Sequence, residues 1–446
     1  MNKYIGAILS LFIASTLGFS QKNLSAKDAV MIALENNFQV QIAEKQIQIT
    51  EKNNKWSEAG LFPTVTLSAG LNNTIQDNTN NPFTFTPGII LNQGLAPSLA
   101  ANWNIFSGLA VKMTKQRLEQ LEEQSRGNAF AIMENTIQDV LKAYYAAYVQ
   151  KERMDLFDSL KIYSKKKFDY YQVKEKYTTS NSLEQLQFRN QYLTDSTNYL
   201  IQKISYENAI RNLLVLMNVQ DESERNALPI LTDKLDIELP SYTYDAAYAE
   251  MMGNNQNIKN QYISLELQKT QTAYQKSFLY PTLSLQLGFN PSYAQFRQLN
   301  NNSNQTLETT TLTYYGNLNL RYTIFNNWKT KRAVEVSKIQ EEITSLNIQS
   351  FEKSLSYSLQ NLIQLYEVRR QLTQISAENL VYAQKAWELA KAKFQSGSIN
   401  SIDLTIYQNN YQNTLIQHYE NQFNKMDTYL EIYKLMGKLR LDYDQP

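Results

Sequence analysis

No cysteine occurs in the 446 residues, and histidine occurs once. The first absence excludes disulfides, thiolate metal ligands, cysteine nucleophiles and an N-terminal lipid attachment. The second leaves His418, in NTLIQHYENQF, as the sole imidazole, and its setting reads as an ordinary helix face. No phosphate-binding loop, metal-ligand cluster or nucleophile elbow is found, so no enzyme and no cofactor is expected. An excess of charge of one sign is missing as well. The net charge of +1 provides no field to attract nucleic acid. Thirteen Gly and nine Pro are few for this length, which favours long uninterrupted elements. Beyond residue 20 no run of about 18 apolar residues appears, so no membrane-spanning helix is expected. Any entry into a membrane would have to be as β-structure.

What is present begins with MNKYIGAILSLFIASTLGFSQ: an early lysine, an apolar run from Tyr4 to Phe19, and small residues before Gln21. This reads as a signal peptide over residues 1–20, cleaved near Ser20. Thirty Tyr, with abundant Asn and Gln, suit elements with wet faces.

The chain is written twice. LFPTVTLSAG from Leu61 returns as LYPTLSLQLG from Leu279, with Pro281 standing 218 residues after Pro63. ALENNFQVQIAEKQIQ from Ala33 lies against MMGNNQNIKNQYISLE from Met251 at the same offset. WNIFSGLAVK (Trp103) answers YTIFNNWKTK (Tyr322) at 219, and KYTTSNSLEQL pairs Tyr177 with Phe394 at 217. The expected organisation is a first repeat over 21–220, a charged linker over 221–240, a second repeat over 241–437 and a tail over 438–446. Strands are expected at about 61–71, 97–106, 279–290 and 316–325, with polar loops over about 72–97 and 290–315.

These strands alternate strictly. Val65, Leu67, Trp103, Leu285, Leu287, Leu320 and Tyr322 fall on one face. Thr64, Thr66, Asn102, Asn104, Ser284, Gln286, Asn319 and Arg321 fall on the other. Apolar-out, small-polar-in strands with Phe62, Tyr280, Phe106 and Phe325 at their ends are what a transmembrane β-barrel requires. The first set is expected to face lipid and the second the pore. Four strands are too few to close, so several copies must share one barrel: two would give a lumen plugged by side chains, three an aqueous pore.

Long helices are expected from Gly108 to about Gln150 and from Trp328 to about Val368, rods on the order of 60 Å. In the last helix Ile402, Ile406, Ile416, Tyr419, Phe423, Met426, Leu430 and Tyr433 recur at coiled-coil spacing. In the turn FQSGSINSIDL, Gly397 suits a left-handed helix end, Ser401 a cap and Asp403 the positive helix end. In the first half Ser180 replaces the glycine, and Ser182 begins a capping box with Gln185.

LSAKDAVMIALENN, LFPTVTLSAG, the WNIFSG junction, AYYAAYVQKERMDL and the FQSGSINSIDL turn, in this order, resemble the TolC family of outer-membrane efflux channel proteins. One departure is FNNW, where the family carries a glycine after the Phe. The resemblance implies a mainly α chain with a small transmembrane β part. It implies a homotrimer with a 12-stranded barrel in the outer membrane of a Gram-negative bacterium, continued by a 12-helix periplasmic α-barrel. It also implies a passive exit duct in a tripartite efflux or type I secretion system. Its partners would be outer-membrane lipid, a periplasmic adaptor and an inner-membrane transporter of RND or ABC type. By position, the periplasmic tip, gate and adaptor contact would map to Lys151, Glu152, Arg153, Tyr366, Glu367, Arg369 and Arg370, some of them pairing between helices or subunits. The alternative reading is an exported coiled-coil scaffold or adhesin without a pore.

Overall fold

A computed structural model describes residues 23–84, 87–175, 182–219, 228–235, 240, 242–299 and 306–440. The expected signal peptide and most of the tail lie outside them. Elements come in the order β1 (Asn23–Leu24), α1 (Ala26–Asn36), α2 (Phe38–Asn53), β2 (Thr64–Asp77), β3 (Ile89–Ser107), α3 (Ala110–Glu175), α4 (Ser182–Leu216) and β4 (Ile230–Leu231). Then follow α5 (Tyr244–Asn254), α6 (Gln256–Ser277), β5 (Thr282–Gln298), β6 (Thr306–Arg321), α7 (Lys329–Gln395) and α8 (Ser401–Leu435). Two helices, two strands and two long helices thus occur in the same order twice.

The chain forms two compact units. The first, Met1–Ile42, Phe130–Gln256 and Ser354–Pro446, holds the main apolar core. Val30, Ala33, Ile137, Val140, Tyr144, Ile210, Leu213 and Met217 are all but fully buried in it. Two asparagines from the repeated NN pairs brace it. Asn37 donates through its side-chain amide to the Leu216 carbonyl at 2.9 Å, and Asn255 likewise to Leu435 at 2.8 Å. Each satisfies a carbonyl that the end of a long helix leaves unpaired. Just beyond, Asn218 (φ 49°) and Gly437 (φ 67°) turn the chain in left-handed conformations.

The stretch 221–240, expected to be a linker, is in part core. Its β4 pairs in parallel with β1, and Leu231 and Leu235 are buried. The Tyr144 hydroxyl ties this pair together. It donates to the Leu24 carbonyl at 2.8 Å and accepts the amides of Thr232 and Asp233, each at 3.0 Å.

The second unit, Ala43–Ala129 and Asn257–Lys353, carries a four-stranded antiparallel sheet in the order β2-β3-β5-β6. β2 and β6 are its edges, and among the described residues neither has a second partner. The strands run well past the expected ends, to Asp77 and Gln298, and β3 and β6 begin at Ile89 and Thr306. Much of what reads as loop is therefore paired strand. The helices of this unit meet through small polar side chains, as where the Thr272 and Ser337 hydroxyls lie 2.7 Å apart.

Both strand-to-helix junctions use two consecutive left-handed residues: Gly108 and Leu109 (φ 63° and 73°), then Asn327 and Trp328 (φ 56° and 60°). A side chain at Gly108 would sit 2.1 Å from the Ser277 carbonyl oxygen, so glycine is required there. Asn327 serves in the second half because asparagine tolerates this region best after glycine. This accounts for the FNNW departure.

Candidate functional site

The sheet register decides which side chains share a face, because residues directly opposite point to the same side. Thr64 lies opposite Asn102, Asn102 opposite Gln286, and Gln286 opposite Asn317. Asn104 lies opposite Ser284, and Ser284 opposite Asn319. The polar residues grouped from the sequence thus form one continuous wall of amides and hydroxyls, ending at Arg321 opposite Thr282. Tyr315 covers Gly288 on this wall: a β-carbon there would fall 2.2 Å from the ring.

The other face is apolar across all four strands. Its rows are Trp103–Leu285–Leu318, Val65–Ala101–Leu287–Gly316, Leu67–Leu99–Phe289–Tyr314 and Leu71–Leu95–Tyr293. A register shift between Asn104 and Phe106 brings Phe106 opposite Leu283 and so keeps this face intact. Leu67 is 79% and Leu71 78% exposed, an open apolar face of the kind that marks a surface meeting lipid or another protein. The band stops at the row Asn73–Gln93–Gln295–Glu308, where Gln93 donates to Asn73 at 3.2 Å and Gln295 to Glu308 at 3.0 Å. Tyr322, grouped with the apolar set, lies just past the end of β6 and is exposed.

The helices do not turn where the tip was expected. Lys151, Glu152 and Arg153 lie in the middle of the 66-residue α3, and Tyr366, Glu367, Arg369 and Arg370 in the middle of the 67-residue α7. These residues have partners within the chain. Arg153 pairs with Glu420, and Glu152 accepts from the Tyr419 hydroxyl at 2.8 Å. Arg369 donates to the Asn424 carbonyl at 2.8 Å and to Thr428. Lys151–Asp155 (3.1 Å) and Arg370–Glu367 (2.5 Å) are pairs within one helix. Tyr366 is buried against Tyr429. Burial works against the Lys151 charge, but the hydrogen bond and charge of Asp155 outweigh it and raise its pKa.

The chain turns back instead at FQSGSIN, between α7 and α8. Gly397 takes φ 75°. Its amide bonds the Phe394 carbonyl at 3.1 Å while the Ser398 amide bonds Lys393 at 2.8 Å, the two bonds of a Schellman ending. The cap of α8 is Asn400, one residue before the expected Ser401: its side chain accepts the Asp403 amide at 2.9 Å. Ser401 is buried and donates to Gln187 of α4 at 2.6 Å. Asp403 lies in the first helical turn, as expected. Ser180 lies outside the described residues, and Ser182 begins α4.

Near this end sequence reasoning missed Asp195, which is 1% exposed. Gln191 donates to it at 2.9 Å and Gln408 at 3.3 Å, and the Ser164 hydroxyl, which bonds the Lys161 carbonyl at 3.2 Å, lies close enough to favour its charged form. Burial raises its pKa above the ordinary carboxylate value, although these three neighbours oppose the shift. The folded chain therefore holds this proton more tightly than the unfolded chain. The resulting stability is fully present below the unfolded pKa of about 3.9 and is lost as pH rises through the folded value. Asp195→Asn should remove that loss, with Gln408 turning its amide to offer an acceptor. Its melting temperature should gain on the wild type between pH 4 and 8; a constant or shrinking difference would refute the assignment.

His418 is half-buried and bonds the Ser376 hydroxyl through Nδ1 at 3.0 Å, a packing role. Among the described residues no cluster of His, Asp or Glu could hold a metal ion, and no helix is long and apolar enough to cross a membrane.

Residues 247–438 match the family model of outer membrane efflux proteins. No curated protein matches the chain in sequence. Solved structures do match in fold. The Campylobacter jejuni CmeC outer membrane channel superposes with a TM-score of 0.75 at 14% identity, covering 93% of this chain and 85% of its own. VceC of Vibrio cholerae gives 0.69 at 11% identity, with 92% and 96% covered. The open state of the Neisseria gonorrhoeae MtrE channel gives 0.67 at 17%, with 93% and 89% covered. Residues 247–438 are thus similar to the outer membrane efflux proteins, and over nine-tenths of its length the chain shares the fold of these outer-membrane channels.

Proposed function

We propose that three copies of this chain close a 12-stranded barrel in the outer membrane, continued by a 12-helix periplasmic tunnel, as a passive exit duct from periplasm to exterior. The observation that carries this is a sheet with two open edges and one apolar face. Tyr293 stands ten residues beyond Leu283. At about 3.3 Å per residue and a strand tilt of about 40°, that span covers roughly 25 Å of membrane normal, the height of the apolar band of an outer-membrane barrel. Val65, Leu67, Trp103, Leu285, Leu287 and Leu320 would meet lipid, and the amide and hydroxyl wall would line water.

The helices support the same count of copies. On α7, Leu365, Val368, Leu372, Ile375, Tyr382 and Leu389 recur at heptad spacing yet are 40–69% exposed. Leu186, Leu193 and Leu200 do so on α4. Such seams require neighbouring helices. Four long helices per chain give the tunnel its twelve in a trimer. In this reading the duct is passive, and an inner-membrane transporter of RND or ABC type would supply the drive through a periplasmic adaptor. The paired turn at Gly397 is the surface this reading gives to the adaptor. The order of elements, repeated at an offset of 218, supports two fused copies of one ancestral unit.

Outer-membrane fractionation followed by planar-bilayer recording tests the reading. A heat-sensitive trimer that conducts ions is expected. A soluble, elongated monomer without conductance would instead indicate the scaffold alternative.

A further inference from the structure

The wall assigned to the pore carries almost no charge. Along β2 it presents Thr64, Thr66, Ser68, Gly70, Asn72 and Thr74, and the facing positions of β3, β5 and β6 are likewise neutral down to Asn104, Ser284 and Asn319. Arg321 is the one side chain on this face, among the described residues, that is charged at neutral pH. It is exposed, and among the described residues no carboxylate or hydrogen-bond acceptor engages its guanidinium. Its register opposite Thr282 keeps it on the polar side. The neighbouring Leu320, opposite Leu283, lies on the apolar side, so Arg321 is not aimed at lipid headgroups.

We infer that Arg321 supplies a fixed ring of positive charge where the helices hand over to the barrel, and that this ring favours anionic solutes, those bearing carboxylate, phosphate or sulfonate groups. The inference rests on the trimeric pore proposed above, which places three such residues at one level. A guanidinium keeps its charge at every working pH, so the preference is independent of pH. It depends on salt, because the Debye length falls from about 10 Å at 0.1 M to about 3 Å at 1 M. Every solute leaving through the duct would pass this level, and no carboxylate on the barrel wall offsets it.

The absence of cysteine makes the test clean. Wild-type and Arg321→Cys trimers would be recorded in planar bilayers under a KCl gradient, before and after water-soluble methanethiosulfonate reagents. In 0.1 M salt Arg321→Cys should lower the chloride-to-potassium permeability ratio by about twofold or more, with the difference vanishing at 1 M. A cationic ethylammonium reagent should restore the ratio, and an anionic ethylsulfonate reagent should drive it below that of the unlabelled variant. An unchanged zero-current potential, or a thiol the reagents do not reach, would overturn the ring while leaving the pore intact. No conductance from the wild-type trimer would overturn the pore reading and the ring with it. Arg321→Gln and Arg321→Lys separate charge from structure: both should assemble, and only Arg321→Lys should keep the preference. Failure of Arg321→Gln alone to assemble would make Arg321 a structural partner and overturn the inference.

Discussion

Leu67→Arg should abolish the outer-membrane trimer proposed above, while Thr66→Arg, one residue away, should leave it assembled. The two positions are adjacent in β2 but lie on opposite faces. Leu67 sits among Leu99, Phe289 and Tyr314, in the middle of the apolar band. An arginine on the lipid face near the bilayer midplane costs about 2–4 kcal/mol per copy, or roughly 6–12 kcal/mol in a trimer. That is comparable to the whole stability of an ordinary domain. Thr66 faces the amide and hydroxyl wall and is exposed, so an arginine there stays hydrated. Semi-native gels of the outer-membrane fraction read the result. Equal assembly of both variants, or loss of both, would refute the assignment of the faces.

The strands were legible because helices and loops do not produce strict alternation over ten residues, and because each copy of the pattern checked its repeat. Their outer ends were not. Asn72, Thr74 and Gln76 look like loop, yet they pair with Gly94, Asn92 and Ile90, since a strand with water on both faces needs no apolar residues. The two-residue pair of β1 and β4 was invisible for a related reason: two residues carry no period, and the charges around Leu231 and Leu235 masked them.

The misplaced tip has a different cause. Between Gly108 and Tyr177 the only candidate breaker is Gly127, and a lone glycine inside a helix costs only about 1 kcal/mol. Ending the helix near Gln150 had no physical warrant. The stop signal QSGSIN in the second half was read as a turn but not as the point where the long helix reverses. The charges near Arg153 and Arg369 were assigned to the tip by position alone, through the family resemblance. In mid-helix some of these charges bind a neighbouring helix, as Arg153 does with Glu420, and others pair within their own, as Arg370 does with Glu367. Asp195 offered no signal at all, since its burial follows from where Gln408 and Ser164 come to lie, some 213 and 31 residues away along the chain.

A pair of identical changes should have opposite outcomes in the helical unit. Tyr144→Phe removes an oxygen that accepts two backbone amides and donates to a backbone carbonyl. Thr232 also bonds the Leu24 carbonyl, through its amide at 3.1 Å and its hydroxyl at 3.3 Å, so those two groups keep a partner. The Asp233 amide would be left buried and unpaired. Leaving one such group unsatisfied costs about 1–3 kcal/mol, and weakening the other two bonds brings the expected loss to about 2–4 kcal/mol. Tyr163 is half-buried, but its hydroxyl oxygen is shut off from solvent with no hydrogen-bond partner among the described residues, and burial pushes its pKa up to about 12. Tyr163→Phe therefore removes a desolvated polar atom that gains nothing from folding, and should be neutral or stabilising by up to about 1 kcal/mol. Its ring contact with Trp387, at 5.2 Å between centroids, survives the change. Urea unfolding of the detergent-solubilised protein separates the two. Equal losses would mean that the hydroxyl at Tyr144 does not hold β1 and β4 together.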